Sequence, residues 1–391
     1  MNLAEFVSLM ALLQSLVALS IDSMLPALSI IGSELQVKNI NNNQLIISFL
    51  FIGFAIGQLI YGPISDVIGR KKPMYFGLIL FILGTIISMT STSFKLMIVG
   101  RILQGFGAAA PRVISLALVR DQYEGRQMAK ILSFIMSVFI LVPILAPSIG
   151  QAILFFSNWR AIFSLLLGLS IIAFFWLLFR QPETLPSSKR KPISANFFLS
   201  SFKECINNKK TLGYTVVAGL IFGAFMGYLN SAQQILQIQY NLGVQFPIYF
   251  GIFALSIGLS SFTNSQIVMR YGMRLICWKA LQILSTSSII FLFFSLHHLG
   301  SPPLWSLMMW GIITFFCLGG LFSNFNTLAI EPMGHIAGTA SAIIGSATTI
   351  IALILGASIG QLYNGTVIPL SFGFTLLGLI SILIMKKTDN I

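Results

Sequence analysis

The stretch SLVALSIDSMLPAL, residues 15–28, places one carboxylate, Asp22, among side chains suited to hydrocarbon. An ionised Asp at the centre of a bilayer costs roughly 2.5–3.5 kcal/mol on insertion scales. The rest of the chain has the same character, because 56% of its 391 residues are hydrophobic, 8% are charged and the mean hydropathy is +0.90. A soluble core with a solvated shell does not have this composition, so the sequence predicts a polytopic membrane protein.

Apolar segments long enough to cross a bilayer as helices, about 20 residues each, recur along the chain. They are too long for the strands of about 9–11 residues in membrane barrels, and they lack strict alternation. The predicted fold class is therefore all-α, with twelve transmembrane helices. The predicted segments, numbered 1 to 12 in order, are 6–28, 44–64, 74–93, 95–118, 129–153, 161–179, 212–236, 246–266, 275–296, 304–328, 338–362 and 366–385.

The basic residues alternate between the two sides of the predicted membrane. Of the 23 Lys and Arg, eighteen lie in loops or near segment ends on one side and only Lys38, Lys95 and Arg160 on the other, while Arg101 and Arg112 lie inside segment 4. The positive-inside rule then places both termini and the long central loop in the cytoplasm. The net charge of +13 is thus a topology signal with some attraction to anionic lipid, and it does not indicate nucleic-acid binding.

A basic stretch containing Pro and Ser, residues 180–210, separates six segments from six more. Segment 5 contains APSIGQ at 146–151 and segment 11 contains GASIGQ at 356–361, the fifth segments of their halves. A parallel repeat of two six-helix bundles accounts for this match. The predicted domains are an N-terminal bundle at 1–180, a cytoplasmic linker at 181–210 and a C-terminal bundle at 211–391.

Three motifs carry a family resemblance. GPISDVIGRKKP at 62–73 resembles the loop 2–3 signature of the major facilitator superfamily, RILQGFGAAAPR at 101–112 resembles its helix 4 motif, and VPILAPSIGQ at 142–151 is similar to the antiporter motif of helix 5. Together with IDSMLPAL, SNWRAIF, PETL and EPMGHIAGTASA, they make nearly the whole chain resemble the Bcr/CflA (bicyclomycin-resistance) branch of drug/proton antiporters. One departure is Ala146-Pro147, where the family usually has Gly-Pro.

The resemblance implies a proton-coupled secondary transporter that exports small organic molecules by alternating access across a bacterial inner membrane. It also implies roles for two groups of residues. The loop between segments 2 and 3 is expected to brace the cytoplasmic gate, and its candidate residues are Gly62, Asp66, Gly69, Arg70 and Lys71. The candidate residues of the antiporter motif are Pro143, Pro147 and Gly150.

Asp22 is the only acid inside a predicted segment, which favours a proton-carrying role. The alternative is a structural acid bonded to backbone at the Pro26 bend. Arg101 lies at a similar depth, about 9 Å below the outer surface. If segments 1 and 4 line the cavity, as the resemblance implies, Arg101 faces Asp22; otherwise it extends outward to the lipid headgroups. Gln104 is assigned to the same cavity.

Arg112 follows Arg101 by 11 residues, which returns to within about 20° of the same helix face, about 16 Å deeper. Gly105 and Ala108, which lie between them, leave room for a ligand or admit a neighbouring helix. Arg112 therefore contacts a ligand, pairs at the cytoplasmic gate or bonds structurally at the Pro111 bend.

Segment 7 carries polar amides at helical spacing. Asn230, Gln233, Gln234 and Gln237 follow the pattern i, i+3, i+4 and i+7, which places them on one helix face. The first three are candidates for cavity lining, and hydrogen bonding between helices is the alternative.

The intramembrane charges bear on the substrate. With Asp22 ionised against Arg101 and Arg112 the net charge is +1, and with Asp22 protonated it is +2, so neutral or anionic substrates are favoured over cations. A drug of the bicyclomycin or chloramphenicol type satisfies the neutral case. An endogenous anionic metabolite, such as a polycarboxylate siderophore, suits two guanidinium forks and is the alternative.

Other classes of protein fit the sequence less well. A channel would show rings of like groups, an enzyme would need a nucleophile with a base, and a nucleotide-driven pump would need a GxxxxGKS/T loop. The three cysteines are far apart without a CxxC motif, which argues against a zinc site. The sequence predicts no enzyme activity, no metal and no cofactor, with the proton gradient as energy source. The predicted partners are small molecules, protons and lipids, and the predicted state is a monomer.

Overall fold

The computed structural model describes residues 1–190 and 195–390, and within these ranges it contains helices and turns but no strand. The chain forms two compact units, Met1–Phe197 (unit 1) and Phe198–Ile391 (unit 2). Ten stretches of the described chain are long and apolar enough to cross a membrane, so the protein is a multi-pass α-helical membrane protein. One of them, Leu304–Gln361, contains two long helices joined by a 3-10 turn.

The helices beginning in unit 1 are α1 (Leu3–Asp22), α2 (Leu28–Glu34), α3 (Leu45–Ile68), α4 (Lys71–Met89), α5 (Phe94–Gln122), α6 (Gly125–Phe156), α7 (Arg160–Arg180) and α8 (Ala195–Asn207). The helices of unit 2 are α9 (Lys209–Ala232), α10 (Phe246–Tyr271), α11 (Met273–His297), α12 (Leu304–Ile330), α13 (Ala337–Gln361) and α14 (Ile368–Asp389).

The first span is longer than predicted and is interrupted beside its acid. α1 ends at Asp22, a 3-10 turn covers Leu25–Ala27, and α2 continues to Glu34. Pro26 has no N–H to donate to the preceding turn, which favours the break in α-helical hydrogen bonding at this point. Asp22 therefore lies at a helix break, next to the bend that Pro26 indicates in the sequence.

Both units pack one helix between two neighbours. In unit 1, α5 packs between α3 and α4, and in unit 2, α12 packs between α10 and α11. The first helix of each unit also packs on the fifth long one, α1 on α6 and α9 on α13. Gly69 and Gly272 end α3 and α10 at corresponding turns with φ of +97° and +76°, which only glycine adopts readily.

The predicted linker at 181–210 is more structured than a loop. It contains a 3-10 turn at Ser187–Lys189 and most of it from residue 195 onward is α8. Its residues 191–194 lie outside the described part of the chain.

Candidate functional site

Asp22 lies inside unit 1 with 5% of its surface exposed. Among residues 1–190 and 195–390, no donor or cation lies within hydrogen-bonding or ion-pairing distance of its carboxylate. Arg101, which the sequence predicts to face Asp22, forms no ion pair with it in this structure. The carboxylate is also at the C-terminus of α1, where the helix dipole is unfavourable to a negative charge.

Arg101 is fully buried and fastens helices together instead. Its Nε donates to the carbonyl of Ile46 on α3 (3.0 Å), and one terminal nitrogen donates to the carbonyl of Ser20 on α1 (2.8 Å). Its other terminal nitrogen donates to Gln104, whose amide in turn donates to Thr85 on α4 (2.8 Å). This network joins α1, α3, α4 and α5. It reaches the carbonyl two residues before Asp22, so Arg101 fixes the backbone that presents the acid.

Arg112 contacts α1 through a residue that the sequence analysis missed. Its Nη1 donates to Oε1 of the fully buried Gln14 (2.8 Å), and Gln14 donates to the carbonyls of Arg112 and Pro111 (3.2 and 3.4 Å). Gln14 could have been identified as a lone amide inside an apolar segment. Both predicted arginines of α5 thus reach α1.

The small residues between the two arginines admit a helix, not a ligand. A Cβ on Gly105 would lie 1.8 Å from the carbonyl oxygen of Leu50 on α3, and Ala108 is fully buried. Of the two alternatives left open by the sequence, close helix packing describes this face of α5.

The antiporter motif packs on the chain next to Asp22. Pro143 and Pro147 lie inside α6, and a Cβ on Gly150 would lie 2.0 Å from the carbonyl oxygen of Ser23. Only glycine allows the two backbones this close, so α6 packs directly against the helix break at Asp22.

The amides predicted to share one face of segment 7 lie where that helix changes its winding. α9 ends at Ala232, and Gln233–Gln239 forms a π-helix, so a spacing of 3.6 residues per turn does not hold through it. Asn230, Gln233 and Gln234 are all buried, and Gln233 donates to Gln237 (2.8 Å). Two of these amides, Gln233 and Gln237, are therefore hydrogen-bonded to each other within the π-helix.

The loop between α3 and α4 is held by a charged network on Arg70. The buried guanidinium of Arg70 pairs with Asp66 and with Asp121 on α5 (2.8 Å), and donates to Ser65 (2.9 Å). Lys71 differs, because its ammonium lies over the ring of Tyr75, 5.5 Å from the centroid. Gly62 lies within α3, beside the buried hydroxyl of Ser65 that donates to its carbonyl.

Glu183, from the motif PETL, completes this network and was not assigned a role from the sequence. Its carboxylate accepts bonds from the backbone N–H groups of Arg70 and Lys71 (2.9 and 3.1 Å) at the start of α4. Partial burial acts to raise the pKa of Glu183, but these bonds and those from the N–H groups of Leu185 and Thr184 outweigh it, and the pKa lies below its usual value. A Cβ on Gly69 would collide with this carboxylate at 2.4 Å.

The interior of unit 2 is aromatic. The ring of Phe315 on α12 lies 4.7 Å from Tyr228, 4.9 Å from Phe253 and 6.0 Å from Phe225, measured between centroids. Phe322 continues the cluster at 5.6 Å from Phe225, and both of these rings are only partly buried. The sequence analysis did not single out these rings, because 34 Phe residues are spread along the chain.

The fold and this interior define a multi-pass helical membrane protein with ionisable groups buried in one unit. Comparison with known proteins identifies its family. The model of the Major Facilitator Superfamily matches residues 10–357. A Bicyclomycin resistance protein homolog from Haemophilus influenzae is 30% identical over 380 residues, covering 97% of this chain and 94% of its own length. Multidrug resistance protein D of Escherichia coli is 26% identical over 371 residues, covering 92% of this chain and 89% of its own length.

A solved structure of the xylose transporter XylE from E. coli, in a partially occluded inward-open conformation, has the same fold. Its TM-score is 0.76 at 12% identity, covering 98% of this chain and 97% of its own. The chain belongs to the major facilitator superfamily, and its relatives place it in a drug-efflux branch of that family. Members of this family are transporters, and the bacterial relatives together with the apolar helices indicate a multi-pass inner-membrane protein.

Proposed function

We propose that this chain is a proton-coupled exporter of small organic molecules, working by alternating access with both termini in the cytoplasm, and that Asp22 carries the proton. The observation that carries the proposal is the Asp22 carboxylate itself, which is buried at a helix break and bonded to nothing in the described chain. A structural acid would be expected to accept hydrogen bonds, because an unpaired buried polar group is costly. A carboxyl group that must gain and lose a proton is better left without a permanent partner.

The surroundings of Asp22 support a role in coupling. Arg101 anchors the backbone at Ser20, two residues before the acid, and Gly150 of the antiporter motif contacts Ser23, one residue after it. A movement of α5 or α6 would therefore change the access of water to the carboxyl group. Proton binding and helix movement would then be linked, as alternating access with proton exchange requires.

For the substrate we propose a neutral drug-like compound, in line with the names of the relatives. The partly buried rings Phe225 and Phe322 offer an apolar surface without a fixed hydrogen-bond pattern, which suits compounds of varied shape. Arg112, held by Gln14, favours a second candidate, an anionic metabolite with carboxylates that the guanidinium could bind. Neither candidate needs a cofactor or a metal.

Proton flux in vesicles that contain the reconstituted protein tests the proposal. The purified protein is reconstituted, a pH gradient is imposed, and proton flux is recorded on adding a phenicol, bicyclomycin, citrate as a polycarboxylate, or ethidium as a permanent cation. We expect proton movement with the neutral drugs. Citrate-driven flux that falls with Arg112→Gln, while phenicol-driven flux stays, would favour the second candidate. No proton movement with any compound, or robust transport of ethidium alone, would contradict the proposal.

A further inference from the structure

Unit 2 contains a groove that the transport cycle proposed above does not use. α10 and α11 each pack along α12 but barely contact each other. Between them lies a cavity of about 380 Å³ whose floor is formed by α12. On α10 the lining runs from Ser260 to Tyr271, a rise of about 16 Å at 1.5 Å per residue. This length matches one leaflet of a hydrocarbon core about 30 Å thick.

The lining of the groove is largely apolar and open to the outside of the unit. Ile267 on α10, Leu275 and Ile283 on α11, and Phe316 on α12 all line it with exposed side chains. Gly320 widens its floor, because a Cβ there would meet only ordinary contacts at 3.6 Å or more. In a membrane-spanning helix bundle, the apolar material at hand to fill such a groove is a lipid acyl chain.

Lys279 gives the groove a charge. It lies six residues after the start of α11, about 9 Å along the helix, and it lines the groove with an exposed side chain. Arg270 and Arg274 flank the turn at Gly272, where α10 passes into α11. Within the described chain, no acid lies within salt-bridge distance of any of these three cations. An ammonium this far along an apolar helix calls for an anion from outside the protein.

We propose that this groove binds one anionic phospholipid, with an acyl chain along α10, α11 and α12 and the phosphate on Lys279. Arg270 and Arg274 add to the attraction from the end of the unit predicted to be cytoplasmic, so the lipid belongs to the inner leaflet. Basic pockets between transmembrane helices bind lipid headgroups in this way. The groove lies within unit 2, so the proposal does not depend on the proton-coupling assignment in unit 1.

Native mass spectrometry of the full-length protein in detergent tests the site. Phosphatidylglycerol and phosphatidylcholine with identical chains are titrated against the wild type, Lys279→Gln and a matched control, Lys387→Gln, which removes an exposed cation at the end of α14. We expect wild type to prefer phosphatidylglycerol, and Lys279→Gln to weaken its binding about fivefold, the effect of one basic residue near a lipid surface. The control should bind like wild type.

Two further arms separate the headgroup from the chain. Ala280→Leu, which fills the groove on α11, should weaken the binding of both lipids. Free glycerol 3-phosphate should displace neither lipid. Equal binding of phosphatidylglycerol by Lys279→Gln and Lys387→Gln would overturn the proposal. So would a wild type that does not distinguish the two lipids, or displacement of lipid by glycerol 3-phosphate at equal concentration.

Discussion

Units 1 and 2 share a helix arrangement but bury different side chains. Unit 1 places Asp22 and Arg101 in its interior, and the guanidinium of Arg70 at one end of α4. In the part of unit 2 that the structure describes, 198–390, no Asp, Glu, Lys or Arg is buried, and the interior consists of aromatic rings and of amides such as the reciprocal pair Asn264 and Asn324 (2.9 and 3.2 Å).

This difference indicates what each kind of interior is suited to. Buried charges need fixed dipoles around them, and the Arg101 network supplies these from four helices, so that part of unit 1 tolerates little rearrangement. Aromatic surface is attractive without strict direction, so the rings of unit 2 can adapt to ligands of different shape. We therefore assign proton chemistry to unit 1 and apolar substrate contact to unit 2 as a working hypothesis.

The largest expected effect is that of Arg101→Ala. It leaves the carbonyls of Ser20 and Ile46 and the amide of Gln104 without their donor, at about 1–3 kcal/mol for an unsatisfied buried group. We expect a clear fall in melting temperature in detergent and loss of pH-gradient-driven transport. Arg101→Lys should restore neither stability nor transport, because the single nitrogen of a lysine cannot reach acceptors on three helices.

Asn324→Ala is the matched change in unit 2, because it also breaks a buried polar pair. It should lower stability while leaving the response to the pH gradient intact. Equal loss of coupling in both variants would remove the distinction between the units.

Gly150→Ala should have the next largest effect. The added methyl group would lie 2.0 Å from the Ser23 carbonyl oxygen and would force α6 away from the helix break, at a cost of about 1–3 kcal/mol. Gly168→Ala on α7 is the control, since a Cβ there meets nothing within 4 Å. Thermal unfolding and transport rate are measured for both. If the two variants behave alike, the close contact of α6 beside Asp22 has no part in coupling.

Phe322→Ala addresses unit 2 directly. Removing a partly buried ring from the aromatic cluster should raise the KM for a neutral apolar drug about tenfold, since an aromatic side chain contributes about 1–3 kcal/mol to apolar burial. Protons moved per drug should stay unchanged. The exposed Phe372 on α14 provides the control, Phe372→Ala. A changed proton ratio with an unchanged KM would assign this ring to coupling instead.

The smallest effect is expected for Glu183→Gln, which neutralises the carboxylate that accepts bonds from the N–H groups at the start of α4. Because the pKa of Glu183 lies below its usual value in the folded protein, its contribution to stability is present above the unfolded pKa of about 4.3 and is lost as the pH falls through the lower folded value. Near neutral pH the variant should be about 0.3–1 kcal/mol less stable, the worth of a charge at a helix N-terminus. Melting temperatures from pH 3 to 8 test this, and a gap between the proteins that stays constant or widens in acid would contradict it.

The sequence was sufficient for the class of fold and for the family. Apolar segments at bilayer length predict membrane helices. Gly62 and Gly69 are both compatible with tight turns, and the structure forms the turn at Gly69 but places Gly62 within α3. The motif residues around 62–73, 101–112 and 142–151 point to the family to which the chain belongs. These features depend on local chemistry, which a single sequence displays.

The contacts of the site could not be predicted in the same way. Similar depth in the membrane places Asp22 and Arg101 near each other along the bilayer normal, but the guanidinium finds nearer acceptors in the carbonyls of Ser20 and Ile46. The break at Asp22 had a visible signal in Pro26. The π-helix at Gln233–Gln239 had none, because its winding depends on tertiary contacts that helical spacing does not encode.

Transport by Asp22→Asn in reconstituted vesicles tests the central claim most directly. Asparagine keeps the size of the side chain but cannot exchange a proton, and Glu124→Gln neutralises an exposed acid as the control. Labelled phenicol is followed once under an imposed pH gradient and once as exchange against unlabelled phenicol without a gradient. We predict that Asp22→Asn keeps the exchange and loses the gradient-driven accumulation, while the control keeps both. Accumulation by Asp22→Asn at the wild-type level under the gradient would show that Asp22 does not carry the proton.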